Sequence, residues 1–165
     1  MKDGMRFVDC DMHIMEPADL FERYLDPKFR DRVSLPLGGN GKYKRGVIII
    51  DGEPSTYDVE TQQHRKPHRG IGGDANSQPL SGSRISAGGY LDFALERDYD
   101  GEAQLMGMEM EGVDIAVLFP TMGLSLLSRD GMDPTLSLAL AQAYNNWISE
   151  FCQHSPEQLK FSAML

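Results

Sequence analysis

The sequence predicts an α/β fold in which parallel strands are joined by helical crossovers, and three observations point to it. Strand-like segments at residues 7–13, 114–119 and 159–165 alternate with helical segments, and the connections between them are too long for hairpins. Residues 114–119, Asp-Ile-Ala-Val-Leu-Phe, form a nearly continuous apolar run, the composition of a parallel strand covered on both faces. The first strand carries its polar side chains at its C-terminal end, as in a (β/α)8 barrel, whose sites gather on that face. The prediction is a partial barrel with about three N-terminal strands and a small β-hairpin excursion, in a single domain of residues 1–165. A complete barrel takes roughly 250 residues. A chain of 165 residues therefore implies either further strands beyond Leu165 or pairing with other chains along its open edges.

The elements follow in order. After the strand at 7–13, Glu16-Pro17 breaks the extended pattern, and Pro17 suits the first turn of a helix over 18–25 with Leu20, Phe21, Tyr24 and Leu25 as its apolar face. Asp26-Pro27 ends that helix, and residues 28–33 make a further turn before the glycines at 38–41. Residues 42–55 read as a β-hairpin, because a β-branched run at 47–50 precedes Asp51-Gly52, a strong two-residue turn signal. Residues 56–89 have almost no hydrophobic periodicity and read as a flexible loop insertion. Asp100 caps a helix over 102–111, with Leu105, Met106, Met108 and Met110 as its apolar positions and Gly112 as its left-handed stop. Asp133 and Pro134 open the clearest helix, running to about residue 154 with Leu136, Leu140, Tyr144, Trp147, Ile148 and Phe151 on one stripe. Asn145 and Asn146 inside it read as surface polarity. Pro156 stops the helix, and the strand at 159–165 places Phe161, Ala163 and Leu165 on one face.

Composition narrows the function. Apolar content of 41% and charged content of 25% are those of a soluble globular protein. A net charge of −9 argues against nucleic acid, since the basic residues cluster only weakly, at Lys42, Lys44 and Arg45 and at Arg65, Lys66 and Arg69. Two cysteines, Cys10 and Cys152, fit a reducing compartment rather than a disulfide framework. With no signal peptide and no apolar run of membrane-spanning length, the expectation is a cytoplasmic protein with no membrane partner.

The chemistry concentrates in residues 7–17. Strict alternation would put Phe7, Asp9, Asp11 and His13 on one face of the strand. A row of ionisable groups on a buried strand is costly unless something compensates it, and a divalent metal would do so through carboxylate oxygen and imidazole nitrogen. A strand end emerging into water, with both aspartates solvated, accounts for the spacing equally well. His64 and His68 are four residues apart, but Pro67 and nearby glycines disfavour a helix there, so they read as solvated loop histidines.

Several segments together resemble the amidohydrolase-related metal-dependent hydrolases and decarboxylases, the group that includes aminocarboxymuconate semialdehyde decarboxylase and the γ-resorcylate-type decarboxylases. Asp9-Cys10-Asp11-Met12-His13 with Glu16-Pro17 is similar to that family's first-strand signature. Leu25 to Arg32 resembles the segment that follows it in one branch. Glu111 to Thr121 resembles the second-strand region, and Tyr144-Asn145-Asn146-Trp147 with Pro156, Leu159 and Lys160 resembles the helix and third strand. The likeness spans most of the chain except 56–89. It implies a (β/α)8 barrel with one divalent metal, Zn or Mn, ligated from the first strand by Asp11 and His13. Asp11 stands where the family commonly has histidine or glutamate and favours a somewhat harder ion. Asp9 becomes a structural or second carboxylate behind the ligands, and Glu16 and Thr121 line a substrate pocket. The remaining ligand and the catalytic aspartate are implied beyond Leu165. The implied function is hydrolysis or decarboxylation of a small carboxylic acid, amide or ester, with the chain alone weakly metal-binding and inactive. The rival expectation is a non-catalytic half-barrel that works as an interaction module or homo-oligomer.

Overall fold

The computed structural model describes residues 4–14, 16, 17, 19–34, 48–54, 93, 94, 97, 99–121, 123–127 and 129–165. Strand β1 (Val8–Ile14) leads through helix α1 (Leu20–Tyr24) and a 3₁₀ segment (Pro27–Arg32) to β2 (Val33–Ser34), β3 (Ile49–Ile50) and β4 (Glu53–Pro54). Helix α2 (Gly101–Glu111), β5 (Ile115–Pro120), a 3₁₀ turn (Gly123–Ser125), α3 (Pro134–Cys152) and β6 (Leu159–Phe161) follow.

The main sheet is parallel, in the order β1-β5-β6, with β5 in the centre. The helical connections leave no other choice, since only a crossover returns a chain parallel to the strand before it. The second sheet is antiparallel, in the order β2-β3-β4. Its hairpin turns at Asp51 and Gly52, both with positive φ (53° and 81°), the geometry that asparagine, aspartate and glycine tolerate. The hairpin is as expected over the described residues. The third strand, Val33–Ser34, pairing with Ile49 and Ile50, has too short a pattern to be legible beforehand. Residues 42–47 of the expected hairpin and all of 56–89, with His64 and His68, lie outside the described residues.

The helix termini follow their sequence signals. Asp100 Oδ1 accepts the Ala103 N–H at 3.0 Å, and Gly112 closes α2 at φ 78°. Asp133 Oδ1 accepts the Thr135 N–H at 2.9 Å at the start of α3. The stripe Leu136, Leu140, Tyr144, Trp147, Ile148 and Phe151 is buried throughout and forms the core with Ala116 and Leu118 of β5, Ile14 of β1 and Leu20 and Phe21 of α1. Tyr144, Trp147 and Phe151 stack successively, with ring centroids 5.6 and 5.8 Å apart.

Three expectations change. The methionines of α2 do not form one buried face: Met108 is buried, Met106 is exposed, and the other buried positions are Gly101, Ala103 and Gly107. The reason is proximity. A Cβ on Gly101 would fall 2.3 Å from the His154 ring, so small residues set the helix spacing. Strand β5 is buried on one face only: Ala116, Leu118 and Pro120 are covered by helices, while Ile115, Val117 and Phe119 are half-buried on the opposite face. The third strand is shorter than expected, Leu159–Phe161, because the chain after it leaves the ladder to pair with α3. No helix among the described residues is long and apolar enough to cross a membrane.

Candidate functional site

The site is built where β1 and β5 end together. Pairing runs Val8 to Ile115 and Asp9 to Ala116, then resumes at Met12 to Leu118, His13 to Phe119 and Ile14 to Pro120. Two residues of β1, Cys10 and Asp11, therefore stand opposite Val117 alone, which is a β-bulge. The bulge overturns the expectation of one polar face. Asp9 falls in register with buried Ala116 on the helix-covered side, whereas Asp11 and His13 face the open side. Asp9 Oδ1 accepts the Asp11 N–H at 2.9 Å, so its carboxylate stabilises the bulge that turns Asp11 outward.

Asp11 and His13 are brought together. His13 Nε2 lies 3.9 Å from Asp11 Oδ1, and the two side chains are 46% and 83% exposed. The other ring nitrogen, Nδ1, lies 2.7 Å from the Pro120 carbonyl oxygen. A carbonyl can only accept, so Nδ1 carries a proton, and in the neutral form of the ring the lone pair lies on Nε2, the nitrogen nearer Asp11. This is the arrangement that metal-ligating histidines adopt, one nitrogen donating to a backbone carbonyl and the other free to bind. The donor types suit a divalent cation; with bonds of about 2 Å at a tetrahedral angle the two atoms would stand about 3.3 Å apart, so the 3.9 Å gap would close by about half an ångström on binding. Among the described residues, no third His, Cys, Asp or Glu joins them.

Glu16 and Thr121 sit on the same rim with different surroundings. Thr121 is exposed. Glu16 is 3% exposed, and its Oε1 accepts the backbone N–H of both Thr121 and Gly123 at 2.9 Å. It also lines a small, partly open pocket with Leu20, Phe21, Leu126 and Tyr144. The Tyr144 hydroxyl, buried and with no hydrogen-bond partner among the described residues, has its pKa pushed up by burial, with the negative charge of Glu16 adding to the effect.

Sequence reasoning missed Asn145. Its Nδ2 donates to the Met164 carbonyl at 2.8 Å and its Oδ1 accepts the Met164 N–H at 2.9 Å, a two-bond clamp on the chain leaving β6. The available signal was its position inside a helix, where asparagine is unfavourable unless its amide is used. Asn146 is exposed, as expected of surface polarity.

No family model and no curated protein matches this chain. Among solved structures it is similar to the crystal structure of an amidohydrolase from Mycobacterium avium subsp. paratuberculosis K-10, at 20% identity and a TM-score of 0.58. The similarity covers 97% of this chain and 42% of that one, so this chain spans less than half the length of that structure. At that identity the likeness establishes a shared fold.

Proposed function

We propose that this chain contributes the first-strand half of a divalent-metal site in an amidohydrolase-type hydrolase or decarboxylase, on a partial (β/α)8 framework. The substrate class is a small carboxylic acid, amide or ester. The observation that carries the reading is the His13 ring, with Nδ1 tied to Pro120 and Nε2 turned to Asp11 at the C-terminal end of parallel strands. Asp11 and His13 would hold the ion, Zn or Mn, with the other coordination positions left to water, substrate or residues outside the described set. A bound divalent cation supplies Lewis-acid polarisation of a carboxylate or carbonyl and a more acidic bound water. Asp11 is acceptor-only when ionised, and the neutral His13 ring with Nδ1 protonated has its lone pair on Nε2, so both would offer an electron pair to the ion. Thr121, exposed beside Pro120, would contact substrate at the rim.

The test is titration of the chain with Zn(II) and with Mn(II) by calorimetry. The expected result is measurable binding by the wild type and its loss in Asp11→Ala and His13→Ala. Binding that survives both substitutions sinks the reading.

A second reading has its own observation in favour. At the start of β1, Phe7 and Val8 are 43% and 52% exposed, and β1 and β6 have unpaired outer edges among the described residues. Such edges favour association. A metal-free chain that runs as a discrete oligomer by light scattering would support an interaction module instead.

A further inference from the structure

One peptide group orients the His13 ring of the candidate metal pair. The Pro120 carbonyl, which accepts the His13 Nδ1–H, and the Thr121 N–H, which donates to Glu16 Oε1, belong to the same planar unit. In a trans peptide the two point in opposite directions. Pinning the N–H therefore sets the direction of the carbonyl. Pro120 is the last residue of β5 and still pairs with Ile14 of β1, so the end of the ladder and the Glu16 carboxylate hold this peptide together. Glu16 also takes the Gly123 N–H, which fixes the turn that follows.

The slot fits a carboxylate closely. A Cβ on Gly123 would lie 3.2 Å from Glu16 Oε1 and 2.6 Å from Met164 Cε, so a larger residue there would press on the carboxylate and on the methionine tip. Burying a carboxylate to 3% exposure is costly, and a neutral apolar residue would fill the same space at less expense. The two charge-assisted bonds offset part of that cost and polarise the peptide, which makes its carbonyl a stronger acceptor for the imidazole proton.

We infer that Glu16 is a positioning residue: through the Pro120–Thr121 peptide it fixes the tautomer and direction of the His13 ring. The inference rests on the metal-site reading for its purpose but not for its first measurement.

That measurement is the protonated nitrogen of neutral His13 in the metal-free chain, read by long-range ¹H–¹⁵N correlation and assigned by comparison with His13→Ala. The wild type is expected to carry the proton on Nδ1. Glu16→Ala, and Glu16→Asp, whose shorter side chain cannot reach both amides, are expected to shift it towards Nε2. The same two variants should weaken Zn(II) or Mn(II) binding about 10- to 100-fold, as removal of such supporting contacts does. Glu16→Gln keeps an acceptor oxygen and should restore the Nδ1 form and most of the affinity. A wild-type proton on Nε2 overturns the inference. So does a folded Glu16→Ala or Glu16→Asp with the tautomer unmoved, whatever happens to affinity or melting temperature. If Glu16→Ala does not fold, Glu16→Asp decides. Unchanged metal affinity in His13→Ala would remove the metal-site reading alone and leave the tautomer result standing.

Discussion

At Cys10 and Cys152 the same residue type meets opposite surroundings. Cys10 stands exposed in the β1 bulge, while Cys152 is buried at the end of α3, where burial pushes its thiol up to about 11. The thiolate is the reactive form, so at neutral pH a maleimide should label Cys10 alone, with Cys152 reacting only after denaturation; peptide mass spectrometry reads this directly. Asn145 presents a second case. Asn145→Ala leaves the Met164 N–H and carbonyl to find other partners, with an expected loss of about 1–2 kcal/mol in denaturant unfolding. Asn146→Ala, on the exposed neighbour, should stay within about 0.5 kcal/mol of wild type. The pair of variants separates a working amide from a surface one.

Among the elements, the antiparallel β2-β3-β4 sheet is joined to α3 through Arg32. Its guanidinium donates to Asp51 at 2.7 and 2.9 Å and to Asp133 at 2.8 Å. The Arg32 bond, with those from Thr135, lowers the Asp133 pKa from the ordinary 3.8 to about 2, and Arg32 lowers Asp51 as well. A depressed carboxyl pKa contributes stability that is complete above the ordinary value and is lost as pH falls through the folded value. Acid titration followed by circular dichroism should therefore show wild-type stability declining between about pH 4 and 2. In Arg32→Ala that pH-dependent component should shrink. Helix α2 depends on its cap and its stop. Asp100→Ala should cost about 1 kcal/mol, and Gly112→Ala about 1 kcal/mol or more, since φ 78° suits glycine.

For the molecule as a whole, α3 is the element against which α1 and the parallel sheet are packed. Leu140 and Ile148 are fully buried there, and truncating either to alanine should cost about 2–5 kcal/mol, enough to unfold a marginal domain at modest temperature. The other face of the sheet is the site's face. It holds Asp11 and His13 at one end and half-buried Ile115, Val117 and Phe119 along its centre. One surface thus serves both functional readings. Metal binding by the monomer and metal-free oligomerisation are distinguished by light scattering with and without Zn(II).

The sequence by itself determined what depends on local chemistry. Proline and aspartate opened α3, Asp100 and Gly112 bounded α2, Asp51-Gly52 made the hairpin turn, and spacings of three and four placed the core stripe. It also marked Asp11 and His13 as candidate ligands, by residue type and resemblance. Tertiary structure alone decided which side chains share a face. A one-residue bulge sent Asp9 to the covered side and Asp11 to the open one, because side-chain direction in a strand inverts with each residue and an unpaired extra residue resets it. It alone also joined Glu16 to Thr121 and Gly123, His13 to Pro120 and Asn145 to Met164. These bonds link side chains to backbone groups 19 to 107 residues away. A backbone amide or carbonyl is the same group at every position, so nothing in the sequence names it as the partner; folding does, by bringing one strand end against another.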